Sequence, residues 1–232
     1  MLLTNSAEGG TNTTTASTGN SGGASGNAWD GINIPANTTL TYSSTQAMHG
    51  TLSYHFTSAT TASNFLRWDS QITAATTTTT LYARAYCYFN GTPPTMSRFI
   101  QFNDASATFL GGVGVKASGQ FALRDSAAAL VGSTTMSVPV SQWFRVELML
   151  VSNATTGQLS LKVYSSPDSS VPDETLSLTN QNTAGGNIGQ AVFGNPTAIS
   201  GLDLYMDDLA VQDTGFVGSA VPSAIVSWIQ DS

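Results

Sequence analysis

The residues of this chain that could do chemistry fall into two groups. The first is a set of aromatic and charged side chains at alternating positions. Tyr82, Arg84, Tyr86 and Tyr88 lie in LYARAYCYF, Arg145 and Glu147 in FRVELMLV, and Lys162 and Tyr164 in LSLKVY. Aromatic rings stack on the apolar faces of sugars, and charged neighbours hydrogen-bond the hydroxyls. The same residues would equally suit packing against another subunit, or simply cover a strand face. The second group is acidic: Glu8 near the start of the chain, and Asp207 and Asp208 in LYMDDLAV. Calcium takes oxygen ligands from carboxylates and carbonyls, so one reading of this group is a structural Ca2+ pinning the terminal strands, and the other is a solvated acidic strand end with no cofactor.

Other reactive groups point elsewhere. His49 falls in a turn and His55 on the polar phase of a strand, both as ordinary hydrogen-bonded residues. Cys87 is in phase with Leu81, Ala83, Ala85 and Phe89, so it reads as a small core residue. GNSGG at 19–23 matches the pattern of a nucleophile elbow, but it lies in a polar loop with no strand before it and no helix after it. No zinc-protease, Walker or dinucleotide pattern is present.

The elements that must carry these groups are strands. In SQWFRVELMLVSNATTGQLSLKVYSS, Phe144, Val146, Leu148 and Leu150 alternate with Trp143, Arg145, Glu147 and Met149. Beyond the polar break, Leu159, Leu161 and Val163 alternate with Ser160, Lys162 and Tyr164. A period of two buries one face and frees the other, and the Asn/Thr/Gly break suits a hairpin loop. About a dozen such strands are expected, one of them over 64–72, separated by turns rich in Gly, Pro and Asn. They predict an all-β, two-sheet antiparallel sandwich over residues 1–215. Phase groups Asp207 with Tyr205, Leu209 and Val211, which directs it inward. The remainder, 216–232, carries Ile225, Trp228 and Ile229 behind Pro222. Such a segment cannot bury those groups alone, so they are expected to dock on a partner, the alternative being to fold back over an open end of their own sandwich.

Composition narrows the setting. Charged residues are 9% of the chain, against about 25% in an average soluble domain. The formal net charge is −7 and the seven basic residues are scattered, which excludes nucleic acid as a partner. No apolar run approaches a membrane span, and MLLTNSAEGG lacks the features of a secretory signal.

GQFALRDS, SQWFRVELML, GQLSLKVYSSPDSS and LYMDDLAVQDTG together resemble the laminin-G-like, concanavalin A-like jelly-roll modules. More narrowly, they resemble those in minor tail proteins of actinobacterial phages. The resemblance covers most of residues 2–216. It implies a virion structural protein, on the tail or decorating the capsid, that contacts other virion subunits or host-surface glycans within an oligomeric assembly. The alternative is a carbohydrate-binding or glycan-cleaving module. Glucanases of this fold carry paired carboxylates on one strand, and the three glutamates Glu8, Glu147 and Glu174 form no such pair. Glu147 instead sits beside Arg145 as an ion-pair partner. Lyases of the fold share a Gln-x-His strand; here the nearest string is Gln101-Phe102-Asn103, with no histidine. On these grounds the expectation is a protein that is not an enzyme.

Overall fold

The computed structural model describes residues 1–220, and the expected docking residues Ile225, Trp228 and Ile229 lie outside the described residues. Among the described residues, fifteen strands form two antiparallel sheets. In chain order they are β1 (Leu2–Asn5), β2 (Gly31–Asn33), β3 (Thr38–Ser43), β4 (Ser53–Ser58), β5 (Asn64–Trp68), β6 (Thr80–Phe89), β7 (Met96–Asn103) and β8 (Phe109–Val115). They continue with β9 (Gln120–Arg124), β10 (Leu130–Ser137), β11 (Phe144–Val151), β12 (Gly157–Tyr164), β13 (Glu174–Gln181), β14 (Gln190–Asn195) and β15 (Leu202–Gln212). Sheet A runs β13-β12-β11-β6-β15-β4-β3, with β1 pairing beside β4 on the far half of β15. Sheet B runs β10-β9-β8-β7-β14-β5-β2.

The hairpin read from the sequence is present in its expected register, with Val146 opposite Val163, Leu148 opposite Leu161 and Leu150 opposite Leu159. All seven of its inward residues are fully buried. They meet the inward faces of Phe99, Phe102, Val113 and Phe121 on sheet B, so each sheet covers the other's apolar side. At the opposite end of the core Trp29 stacks on Trp68 at 4.0 Å, with Phe193 edge-on to both. Cys87 is buried in this core, which pushes its thiol well up from the usual range.

Two local expectations are corrected. The strand expected over 64–72 ends at Trp68, and Ser70–Ala75 is a helix, α1. Asp69 accepts from Ser70 N at its start, and Asp30 accepts from Asp69 N and Gln71 N, so two half-buried carboxylates hold the first turn. Asp207 does not share a face with Leu209 and Val211. A β-bulge falls between Asp207 and Ala210, with Asp208 at φ 46°. The extra residue reverses the phase. Asp203, Tyr205 and Asp207 lie on the outer face, while Leu209 and Val211 return to the core.

Candidate functional site

Strand phase does bring the first predicted group to one outer face of sheet A, where Glu147 faces Arg84 and Lys162 across the ladder and Arg145 faces Tyr86 and Tyr164. That face is covered by the chain itself. Arg84, Tyr86, Arg145, Glu147 and Tyr164 are buried, while Tyr82, Tyr88 and Lys162 are half-buried. Arg145 donates to the carbonyls of Pro167 and Ser169 at 2.6 and 2.8 Å, and its guanidinium lies 3.7 Å above the Tyr164 ring. Its Nε stands 3.1 Å from Glu147 Oε1 in an ion pair that is not aligned as a hydrogen bond. The segment after β15 then crosses the face. Phe216 packs on Tyr82 and under Lys162, Gly218 N donates to Glu147, Arg84 donates to Gly218 O, and Ala220 N donates to the Tyr86 hydroxyl. Apart from the Arg145 Nε–Glu147 Oε1 pair, these polar groups are bonded within the chain, which makes most of this face a scaffold for two loops and not an open surface.

The acidic group is likewise spent on protein. Glu8 accepts from Thr51 N, Thr51 Oγ1 and Leu52 N. Asp207 accepts from the backbone of Met48, His49 and Asp208. Asp208 contacts His49 Nδ1, whose other ring nitrogen is 3.1 Å from Asp168. The three carboxylates thus fix the loop joining β3 to β4. Among the described residues no cluster of three or more Asp, Glu, His or Cys has the spacing of a metal site. Burial and the adjacent Asp208 charge push the Asp207 carboxyl up to about 8, against the pull of its three N–H donors. Burial lowers the basicity of His49, but its two carboxylate partners outweigh that and hold it above its ordinary value.

A different constellation lies on the outer face of sheet B. Register partners share a face, so Arg67, Val192, Gln101, Gly112 and Arg124 form one row, with Asn103 and Gln190 beside it. Gln101 donates to Asn103 and Asn103 donates to Gln190, each at 3.0 Å, in a ladder of three nearly buried amides. The Arg98 guanidinium lies 3.9 Å over the ring of Phe109, the register partner of Asn103. Burial and the nearby Arg124 charge push Arg98 below its ordinary value. Among the described residues, neither Arg98 nor Arg124 has a carboxylate at ion-pair distance. The nearest acids in sequence, Asp104 and Asp125, cap their own turns. Gln101 Oε1, Arg98 Nε and Arg124 Nε are buried without a hydrogen-bond partner among the described residues. Buried polar atoms of this kind are rare and call for a reason. Sequence reasoning reached Gln101 and Asn103 only through the Gln-x-His comparison. The arginines gave no signal, because they lie on strands far apart in sequence.

No family model and no curated protein matches the chain. Solved structures do. An endo-β-1,4-glucuronan lyase from the fungus Trichoderma reesei superposes with a TM-score of 0.55 at 12% identity, over 80% of this chain and 91% of that one. The marine PL-14 alginate lyase from Aplysia kurodai gives a TM-score of 0.55 at 10% identity, over 80% and 92%. The CBM22-1 xylan-binding domain of Paenibacillus barcinonensis Xyn10C aligns over 94% and 95% at 11% identity, with a TM-score of 0.38. The fold is therefore the two-sheet antiparallel jelly-roll sandwich that the two lyases share. The expectation that the chain is not an enzyme is corrected by the two lyases, which are catalytic proteins on this same sandwich. The physical reason is that a missing carboxylate pair excludes one hydrolytic chemistry only. Elimination from a uronic acid does not use such a pair.

Proposed function

We propose that this chain is a glycan-directed jelly roll, binding or cleaving, that takes an acidic polysaccharide on the outer face of sheet B. The observation that carries the reading is the row of buried amides flanked by Arg98 and Arg124, two cations without carboxylate partners among the described residues, on a chain of net charge −7. A uronate carboxylate would pair with the guanidiniums of Arg98 and Arg124, the second of which also donates Nη1 to the Ala128 carbonyl at 2.9 Å. Both histidines and all seven tyrosines lie on sheet A strands or on the loop joining β3 to β4. The ladder therefore supplies recognition, and cleavage would need a base from outside it. In the virion setting implied by the sequence resemblance, the same face would touch host-surface glycan. The structural neighbours reported above lend that setting no support.

Affinity electrophoresis of the purified chain through gels containing alginate, polyglucuronate or neutral dextran tests the reading, with ultraviolet absorbance of the unsaturated sugar as the cleavage readout. A polyuronate should retard the protein and dextran should not. Arg98→Ala and Arg124→Ala should each weaken binding about tenfold, since a hydrogen bond to a charged group is worth roughly 1.5 kcal/mol. Unchanged mobility in both polyuronates, or variants that bind like the parent, would remove the assignment.

A further inference from the structure

We infer a second sugar site on the other sheet: a platform in which Tyr88 and Trp143, backed by the stacked Tyr205 and His55, take a neutral oligosaccharide. The inference stands on its own geometry and does not depend on what sheet B takes. Register places the four rings in a lateral row. His55 on β4 is opposite Tyr205 on β15, and Tyr205 is opposite Tyr88 on β6. Phe144 pairs with Cys87, so Trp143 falls beside Tyr88 at the start of β11. His55 and Tyr205 are stacked at 4.0 Å with planes 1° apart. Tyr88 stands edge-on to Tyr205 at 5.9 Å and tilted against Trp143 at 5.7 Å. The row crosses four neighbouring strands, roughly 14 Å at about 4.8 Å per strand, which is room for an oligosaccharide and not a single ring.

This row differs from the covered part of sheet A. Among the described residues, neither the 165–173 loop nor residues 213–220 hydrogen-bond to it; His55, Tyr88 and Trp143 are half-buried, and Tyr205, with one face against His55, is buried. Tyr88 and Trp143, part-exposed and tilted against each other beyond the His55–Tyr205 stack, offer apolar, polarised ring surface that suits the C–H faces of sugars. Polar groups stand at the edge to meet hydroxyls. Asp203 accepts from His55 Nε2 at 2.7 Å and from Asn90 Nδ2 at 2.9 Å, with its side chain 38% exposed. The groups that make up the platform include no Lys or Arg, and Asp203 would repel a carboxylate. The ligand chemistry is therefore that of a neutral glycan, opposite to that of sheet B.

Isothermal titration with cellohexaose, xylohexaose and laminarihexaose tests this on the full chain. At least one should bind saturably. Trp143→Ala and Tyr88→Ala should weaken it by roughly tenfold or more, as truncating an aromatic anchor does. Arg124→Ala should leave it unchanged, and polyuronate binding should survive Trp143→Ala, so failure of either site is seen apart from the other. Thermal melts of each variant exclude loss through unfolding, and Trp143→Phe should retain part of the affinity. Absence of binding by all three hexasaccharides, or full binding by both alanine variants, overturns the platform.

Discussion

Asp207 is fully buried, and it is the residue at which pH should act on this molecule. The carboxyl of an unfolded chain titrates near 3.8, while burial and Asp208 push the folded group up to about 8. Between those values the folded state holds a proton that the unfolded state has released, so stability falls as pH rises. His49 acts in the same direction, because its folded value is raised and its contribution is lost as pH climbs through it. The melting temperature should therefore decline from mildly acidic pH towards pH 9. Asp207→Asn should flatten that decline below pH 8 and leave the part due to His49. Parallel melting curves for parent and variant would mean that the three backbone donors win and Asp207 ionises normally. None of this could be read from LYMDDLAV. Alternation alone placed Asp207 inward, and the bulge that reverses it depends on Asp208 accepting a left-handed backbone in exchange for contacts with His49 and Arg84, both far away in sequence.

At the scale of elements, β11 and β12 were legible because seven apolar residues on strict alternation leave one possible register face. The same alternation placed Arg84, Arg145, Glu147 and Tyr164 together correctly. It could not show that the 165–173 loop and residues 216–220 lie over them, since coverage is tertiary and leaves no period. Helix α1 was missed for a related reason: six residues are too few to display a helical repeat, and its start is fixed by Asp30, 40 positions from Ser70. The covered face carries a prediction of its own. Arg145→Ala would leave Glu147, fully buried, without its cation, at a cost of about 3–5 kcal/mol in urea unfolding. Replacing the pair together, Arg145→Met with Glu147→Leu, should recover most of that loss, because no uncompensated charge remains. If the double variant is as weak as the single one, the cost belongs to the carbonyls of Pro167 and Ser169 and to the loop they hold.

At the scale of the whole molecule, the two proposed sites differ in charge, and salt should separate them. Four of the seven basic residues, Arg67, Arg98, Lys116 and Arg124, are on or beside sheet B, while the chain as a whole carries −7. A bound polyuronate meets attraction at contact and repulsion from the rest of the protein. The contact term is the larger. A carboxylate ~4 Å from a partly buried cation gains about 4 kcal/mol, whereas a charge ~20 Å away through water contributes only about 0.2 kcal/mol. Salt at about 0.1 M, with a Debye length of about 10 Å, removes most of the distant repulsion and little of the contact attraction. Polyuronate affinity should thus change little on going from low salt to ~0.1 M, where the losses offset, and fall between ~0.1 M and ~1 M as the Debye length shrinks to about 3 Å. Stacking of a neutral hexasaccharide on Tyr88 and Trp143 has no such term and should hold its affinity across the range. Titrations of both ligands at three salt concentrations decide the matter. A common salt slope would mean that the two ligands share one surface, and the division of labour between the sheets would be wrong.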